Sequence, residues 1–457
     1  MIPDSRVREA QEWICRSIRD AGGRALLVGG CVRDMALGLP ANDIDIEVFG
    51  IAPDRLQQIL LERYRVEIVG KAFGVLKLHH LPIDVAVARK ESKVGFGHKG
   101  FNVRSDPDLS LEEAAARRDF TVNAISYDSL EDELIDPCGG MADLEQKILR
   151  HVSDQFCEDP LRVLRAMQFT ARFGFSVAAE TIELCRTIEF EGLPMERVYE
   201  EWKKLICVSA KPSLGLQFLR ACGWIRYFPE LEALIDTPQE AEWHPEGDVW
   251  THTGHVMDAF ASERLNDEWE DLVVGLAAMC HDLGKPATTH FEDGRIRSRR
   301  HDMVGEGPTR TFLDRLTRQR DLVEDVVVLV LAHHRPRDLY EQGAGDTAIR
   351  RLAGKVGRLD RLVRVARADT QGRPPKVFDG FPAGDWLLER ARALEVETSA
   401  PRPIVLGRHL IELGLDPGPH FAPLLDACFE AQLEGKITTV EQGIAMARAM
   451  IAKKGST

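Results

Sequence analysis

The 457-residue chain has no apolar run long enough to span a bilayer. Its first stretch, MIPDSRVREAQEWICRSIRD, is charged and patterned as an amphipathic helix, without the apolar centre and small-residue cleavage site of a secretory signal. The expectation is a cytoplasmic protein with no membrane partner. Paired cysteines are also lacking. The nine cysteines are scattered with no Cys-x-x-Cys, which argues against a disulfide framework or a zinc ribbon and for buried thiols. Nor is there an excess of basic charge, the formal net charge being −14. A protein that coats nucleic acid non-specifically is basic, so an RNA partner here must be held by a local basic surface and by shape. Arg295–Arg300 (RIRSRR) and the stretch from Arg350 to Arg367 are candidates for that surface, the alternative for each being a solvated face. There is no fixed-period repeat and no low-complexity tract.

What is present divides into a mixed head and a helical body, an α+β chain. In the head, Ala25 to Val28 reads as a short strand ending in Gly29-Gly30 and Ile44 to Phe49 as a second. Leu76 to His79 and Ile83 to Ala88 read as a hairpin. From about residue 151 apolar residues recur at steps of three and four, as in Pro160 to Phe173 and Ala179 to Ile188. Joints are expected at Asp236-Thr237-Pro238 and at Gly372-Arg373-Pro374-Pro375. The expected division is 1–150, a head; 151–237, a helical neck; 238–375, a second functional domain; and 376–457, a helical tail.

The segment LLVGGCVRDMALGLPANDIDIEVFG, residues 26–50, carries the most chemistry. A strand running into Gly29-Gly30 and then a helix lets backbone N–H groups approach phosphate oxygens, and Arg33 can set a guanidinium on a triphosphate. On a strand, residues two apart share a face. Asp43 and Asp45 then point one way, while Ile44 and Ile46 point into the core. Paired hard oxygens suit Mg²⁺, which prefers a few carboxylates together with substrate phosphates. Asp84, on the alternating stretch PIDVAVA, is the candidate third carboxylate.

These residues resemble the signature of the DNA polymerase β-like nucleotidyltransferases, and in detail that of bacterial class II tRNA nucleotidyltransferases and poly(A) polymerases. The likeness continues through RRDFTVNAI (117–125), DPCGG (136–140), EDPLRVLRA (158–166) and Glu196-Arg197-Val198. It implies a polymerase β-like head that adds C and A to the 3′ end of tRNA from CTP and ATP, without a nucleic-acid template. Asp43, Asp45 and Asp84 are then catalytic, with Mg²⁺ on Asp43 and Asp45. Asp159 and Arg162 serve as a protein template, and Arg118 and Arg165 contact nucleotide. The chemistry agrees. Cytosine and adenine each offer an amino donor beside a ring-nitrogen acceptor, which a carboxylate beside a guanidinium complements; uracil and guanine present the reverse. Asp159, Arg162 and Arg165, at steps of three, are expected along one helix face. Gln168 departs from the family, where many relatives carry Arg. The polar stretch from Lys90 to Ala116 matches a region that in the family includes a flexible element linked to the switch from C to A addition. Its presence favours full CCA addition over a partial, CC-only or A-only, enzyme.

A second constellation runs His252, His281-Asp282, His301, His333, His334 and Asp369. It resembles the HD phosphohydrolase domain, of which HDLGK (281–285) is a typical core. Histidine with carboxylate suits a transition metal such as Mn²⁺, Ni²⁺ or Fe, which generates a hydroxide nucleophile for phosphoester hydrolysis. His255 is an alternative to His252, and the pattern leaves open whether both His333 and His334 are needed. Some bacterial relatives carry such a domain with phosphatase and 2′,3′-cyclic phosphodiesterase activity, which implies repair of damaged tRNA ends. The tail, containing GRHLIELGLDPGPHFAPLLDACFEAQLEGKI, resembles the helices that follow the HD domain in relatives; holding tRNA and packing on the body are equally open to it. Two other readings share some of these residues. One is a poly(A) polymerase, which usually has a basic tail and no HD domain. The other is an HD phosphohydrolase with a non-catalytic RNA-binding head, against which the intact Asp43/Asp45 pair argues.

Overall fold

The computed structural model describes residues 4–41, 43–69, 74–93 and 101–454. They form two compact units, Met1–Phe228 and Pro229–Thr457.

The first unit is built on a seven-stranded mixed sheet of β1 (Arg24–Val28), β2 (Ile44–Phe49), β3 (Val66–Val69), β4 (Val75–Leu78), β5 (Ile83–Val87), β8 (Ser126–Asp128) and β9 (Glu133–Ile135). A separate two-stranded ribbon pairs β6 (Arg89–Lys93) with β7 (Phe101–Ser105). The sheet order is β3-β4-β5-β2-β1-β8-β9. Its centre is apolar because β1 buries Ala25 to Val28 and β2 buries Ile44, Ile46 and Val48. β2 pairs with β1 antiparallel and with β5 parallel. That register sets Asp45 beside Val28 on one side and Asp84 on the other. β4 and β5 form the expected hairpin, Leu76 facing Val85. The helix Ser5–Asp20, capped by Asp4, buries Val7, Ala10, Ile14 and Ile18, a stripe at three- and four-residue steps. Of the stretch from Lys90 to Ala116, residues 94–100 lie outside the described residues.

The helix Leu161–Phe173 packs against the helices Met195–Cys207 and Pro212–Ala221. It buries Val163, Leu164, Ala166 and Met167, and Gly174 ends it at φ 68°. Asp159 is not on this helix, contrary to the sequence expectation. It is extended at φ −121°, ψ 101°. The residue before a proline is pushed out of the α region, and Pro160 imposes that here. The second expected helix runs Ala179–Arg186.

In the second unit the helices Val249–Ser262, Glu268–Cys280, Arg320–Ala332 and Leu359–Gln371 pack on one another. Glu268–Cys280 is apolar on nearly every face and buries each residue from Asp271 to Cys280, so its C-terminal end delivers His281 and Asp282 into the interior. The helical body also holds a hairpin absent from the sequence reading, Thr289–Glu292 with Arg295–Ser298. Its turn is Asp293-Gly294, both at positive φ, and Asp-Gly is a strong hairpin signal in any sequence. The tail has its own small core, including Val405, Leu410, Leu424, Cys428 and Ala447. Among the described residues no helix is long and apolar enough to cross a membrane.

Candidate active sites

In the first unit a cleft of about 660 Å³ opens where β1 ends and β2 begins. That volume is within the range of small-molecule sites. Gly29, Gly30, Arg33, Asp43, Asp45, Arg118, Asp159, Arg162 and Arg165 all line it. Gly29 has φ 72° and ψ −134°, a conformation that only glycine adopts comfortably. A Cβ there would stand 3.2 Å from Arg118 Nη1 and 3.8 Å from Asp45 Oδ2. The bare backbone therefore lies against a guanidinium and a carboxylate at once.

Asp43 and Asp45 are exposed to the cleft while Ile44 and Ile46 are buried, the alternation a strand dictates. Asp43 stands just before β2. Asp84 is level with Asp45 on β5, but its carboxylate pairs with Lys77 Nζ at 3.0 Å, and it is not among the cleft-lining residues. The Asp45 carboxyl is pushed up, first by the surrounding cleft walls; Arg118 opposes this, while Asp84 and Asp43 add to it. Carboxylates crowded enough to repel one another form a site for a divalent cation.

Behind them a layer of ion pairs fixes the arginines. Buried Glu47 accepts from Arg118 Nη2 at 2.8 Å and also pairs with Arg117. Burial would raise the Glu47 carboxyl, but the guanidinium groups of Arg118 and Arg117 outweigh it and hold it below the ordinary range. Buried Asp119 accepts from Arg165 Nε at 2.7 Å, Asn123 Nδ2 at 2.9 Å and the Phe120 N–H at 2.8 Å. Asn123 in turn accepts from Arg33 Nη1 at 2.7 Å. Arg33 also donates to Asp34 and lies over the Phe173 ring. Its side chain lines the cleft with these donors held by protein acceptors.

Asp159 and Arg162 share the cleft wall but do not pair. Arg162 donates to the Gln155 and Arg117 carbonyls at 2.8 and 2.7 Å. Asp159 instead pairs with Arg197, Nη2 to Oδ2 at 2.8 Å. Glu47, Asp119 and Arg197 were not picked out from the sequence as site residues, although Asp119 and Arg197 lie inside the family motifs. Gln168 is buried on the same wall, its Oε1 without a hydrogen-bond partner.

In the second unit all seven sequence candidates meet. His281 and Asp282 end one buried helix, His333 and His334 follow another, and His252 and Asp369 come from two more. His301 opens the short helix after the hairpin. His252 Nε2 is 3.1 Å from Asp369 Oδ1, and Asp282 is 3.1 Å from His281 Nε2 and 3.3 Å from His301 Nε2. His255 is not in the cluster. Burial would raise the Asp282 carboxyl, but His281 and Lys285 hold it well below the ordinary range; Arg373 and His252 do the same for Asp369. Burial drives His333 well below the usual imidazole value and His334 down to about 4. His252 and His301 go the other way: burial would lower them, but Asp369 and Glu246 raise His252 and Asp282 raises His301. Neutral His333 and His334 beside ionised carboxylates are the forms that bind metal. Glu246 was not anticipated: it accepts from His252 Nδ1 at 2.7 Å and His244 Nδ1 at 2.8 Å. Only a His-x-Glu six to eight residues before His252 marks it in the sequence.

Comparison with known proteins follows the same division. Residues 25–150 match the family model of the poly A polymerase head domain, and residues 249–366 match that of the HD domain. The chain is 37% identical over 386 residues to a multifunctional CCA protein of Xylella fastidiosa (strain 9a5c), covering 82% of this chain and 90% of the relative. It is 40% identical over 380 residues to that of Stenotrophomonas maltophilia (strain R551-3), covering 79% of this chain and 89% of the relative. The fold matches the crystal structure of the Bacillus stearothermophilus CCA-adding enzyme in complex with CTP, with a TM-score of 0.67, 22% identity and full coverage of both chains. Matched over about four-fifths of its length at 37–40% identity, the chain belongs to the family of multifunctional CCA proteins.

Proposed function

We propose that this chain adds CCA to the 3′ end of tRNA from CTP and ATP, selecting each base with protein side chains. The observation that carries the reading is the shared cleft: Asp43 and Asp45 on one wall, Asp159, Arg162 and Arg165 on another. The substrate 3′ oxygen forms a bond to the α-phosphorus, the bond to the β-phosphate oxygen breaks, and pyrophosphate leaves. Gly29 and Gly30 admit the triphosphate close to the backbone, and Arg118, anchored by Glu47, faces its charge. Asp43 and Asp45, assisted by Asp84, would hold Mg²⁺, which when bound lowers the pKa of the attacking hydroxyl and offsets charge on the leaving group. Asp159, braced by Arg197, offers an acceptor to the amino group of C or A. Arg162 offers a donor to the ring nitrogen. A base with the reverse pattern leaves both unpaired in the cleft, and such mismatches are rejected strongly.

The second centre is a divalent-metal site in a phosphohydrolase domain. Its imidazole-rich donor set fits Mn²⁺, Ni²⁺ or Fe better than Mg²⁺. Hydrolysis of terminal phosphates or 2′,3′-cyclic phosphates would prepare damaged tRNA ends for addition. Water adds to phosphorus as the phosphorus–ribose oxygen bond breaks. A cytoplasmic setting suits both substrates. The relatives' shared name and the accompanying HD centre favour CCA addition over poly(A) synthesis.

The test replaces Asp43 with Ala. Incorporation of C and A should be lost while metal-dependent phosphatase activity persists. Simultaneous loss of both in a folded variant would contradict two separate sites.

A further inference from the structure

The opening to the second centre is small, about 230 Å³. Pockets that enclose a whole small ligand start at roughly 300 Å³. This one has room for a phosphate and part of a ribose. The base, and every further nucleotide of a longer substrate, must lie outside it, so the rim takes part in recognition.

Two elements form that rim. One is the loop carrying Trp243, which lines the opening and is 52% exposed. Lys376 Nζ lies 5.5 Å from its ring centroid and donates to the Glu242 carbonyl at 2.7 Å, which holds the loop in place. The other is the hairpin Thr289–Glu292 with Arg295–Ser298. Cross-strand partners share a face, so Phe291, opposite Ile296, lies on the same side as Thr289, opposite Ser298. Ile296 and Ser298 line the opening. Phe291 therefore stands on the face of the hairpin that looks towards it, and it is 78% exposed. Glu240 accepts from the Ile296 N–H at 3.0 Å, which ties the hairpin to the Trp243 loop.

Single exposed apolar residues are common and need no explanation. Here two large aromatic side chains flank one polar opening, with basic groups around them. Arg337 and Arg373 line the opening itself. From Thr289 to Arg300 the hairpin segment carries four arginines against Glu292 and Asp293. Arg295 pairs with Glu242 at 3.3 Å and Arg299 with Glu292 at 3.1 Å. Such exposed pairs are weak and exchange readily for phosphate. Aromatic faces interleaved with arginines are the chemistry that holds single-stranded RNA. Bases stack on the rings, and guanidinium groups take the phosphates between them.

We propose that the Trp243 loop and the hairpin form a docking surface for the single-stranded 3′ end of an RNA. The terminal base stacks on Trp243 and the base before it on Phe291, while the terminal phosphate ester enters the opening. The second centre then acts on RNA ends in preference to free mononucleotides. The inference rests on the reading of this centre as a phosphohydrolase.

The test uses the full chain carrying Asp43→Ala, which silences the head, loaded with Mn²⁺. Its substrates are a hexaribonucleotide ending in a 2′,3′-cyclic phosphate and the corresponding cyclic mononucleotide. The hexanucleotide should be favoured about tenfold or more in kcat/KM. Phe291→Ala should bring that ratio down towards one. Trp243→Ala should lower kcat/KM for the hexanucleotide about tenfold. Both positions are exposed, and circular dichroism checks that each variant is folded. A readout independent of turnover places thiouridine at the last or the second-last nucleotide. Near-ultraviolet light should crosslink it to the peptides that contain Trp243 and Phe291, identified by mass spectrometry. Equal kcat/KM for the two substrates, with no such crosslink, overturns the docking surface and leaves the phosphohydrolase reading standing. Crosslinks at these peptides without hydrolysis of either substrate support the surface and overturn the phosphohydrolase reading. Self-association of the chain that is lost in Phe291→Ala, seen by sedimentation in place of crosslinks, overturns the proposal in favour of a second copy.

Discussion

Replacing Asp45 with Asn changes a single heavy atom and tests the chemistry of the cleft. The substitution keeps the shape but removes one of the two negative charges that Asp43 and Asp45 bring to the cleft. Incorporation of C and A should fall about 10²- to 10³-fold or more in kcat, measured with saturating CTP or ATP. Asp159→Ala should act differently. With Arg197 and Arg162 left on the wall and the acceptor gone, discrimination against UTP should drop at least about 10²-fold, read as the ratio of kcat/KM for CTP and UTP. Glu47→Gln probes stability as well, because it leaves Arg117 and Arg118 without their buried carboxylate. A loss of about 3–5 kcal/mol is expected in urea unfolding. The Glu47 carboxyl is depressed in the folded chain, as is that of Asp119. Each therefore contributes stability above the ordinary carboxylate value, which is lost as pH falls through the folded value. The urea midpoint should decline on acidification below about pH 5, and less steeply in Glu47→Gln.

At the scale of elements, the turn from β1 into the helix Gly30–Ala36 is the piece least tolerant of change. Gly29→Ala places a Cβ in an unfavourable backbone region and against Arg118. A cost of about 1–3 kcal/mol and a raised KM for nucleotide are expected, by thermal unfolding and initial rates. Elements with a clean period were legible in the sequence: β2 with its Asp-Ile-Asp-Ile alternation, the helix Leu161–Phe173, and the apolar helix that delivers His281 and Asp282. What was not legible depended on contacts across long sequence separations or on local backbone rules. Asp159 looked helical by spacing, but Pro160 holds it extended. That Asn123, ninety residues on, orients Arg33 through one of its donors had no local signal. Glu47 reads as one more strand residue until Arg117 and Arg118 fold over it. Glu246 comes from a loop with no periodicity. The hairpin at Asp293-Gly294 had a local signal, and a helical reading of the body passed over it.

At the scale of the molecule, two compact units each assemble their own polar centre, from different ligand chemistries. Oxygen-only carboxylates line the cleft of Met1–Phe228, and imidazoles with carboxylates fill the interior of Pro229–Thr457. The account at this scale is that the protein itself supplies the template for a fixed terminal sequence. The most direct test incubates the purified chain with Mg²⁺, all four nucleoside triphosphates and tRNA ending before CCA, and then sequences the 3′ ends of the products. The account predicts ends of C, CC and CCA, converging on CCA with no fourth nucleotide. Runs of A, or free incorporation of U and G, would contradict it.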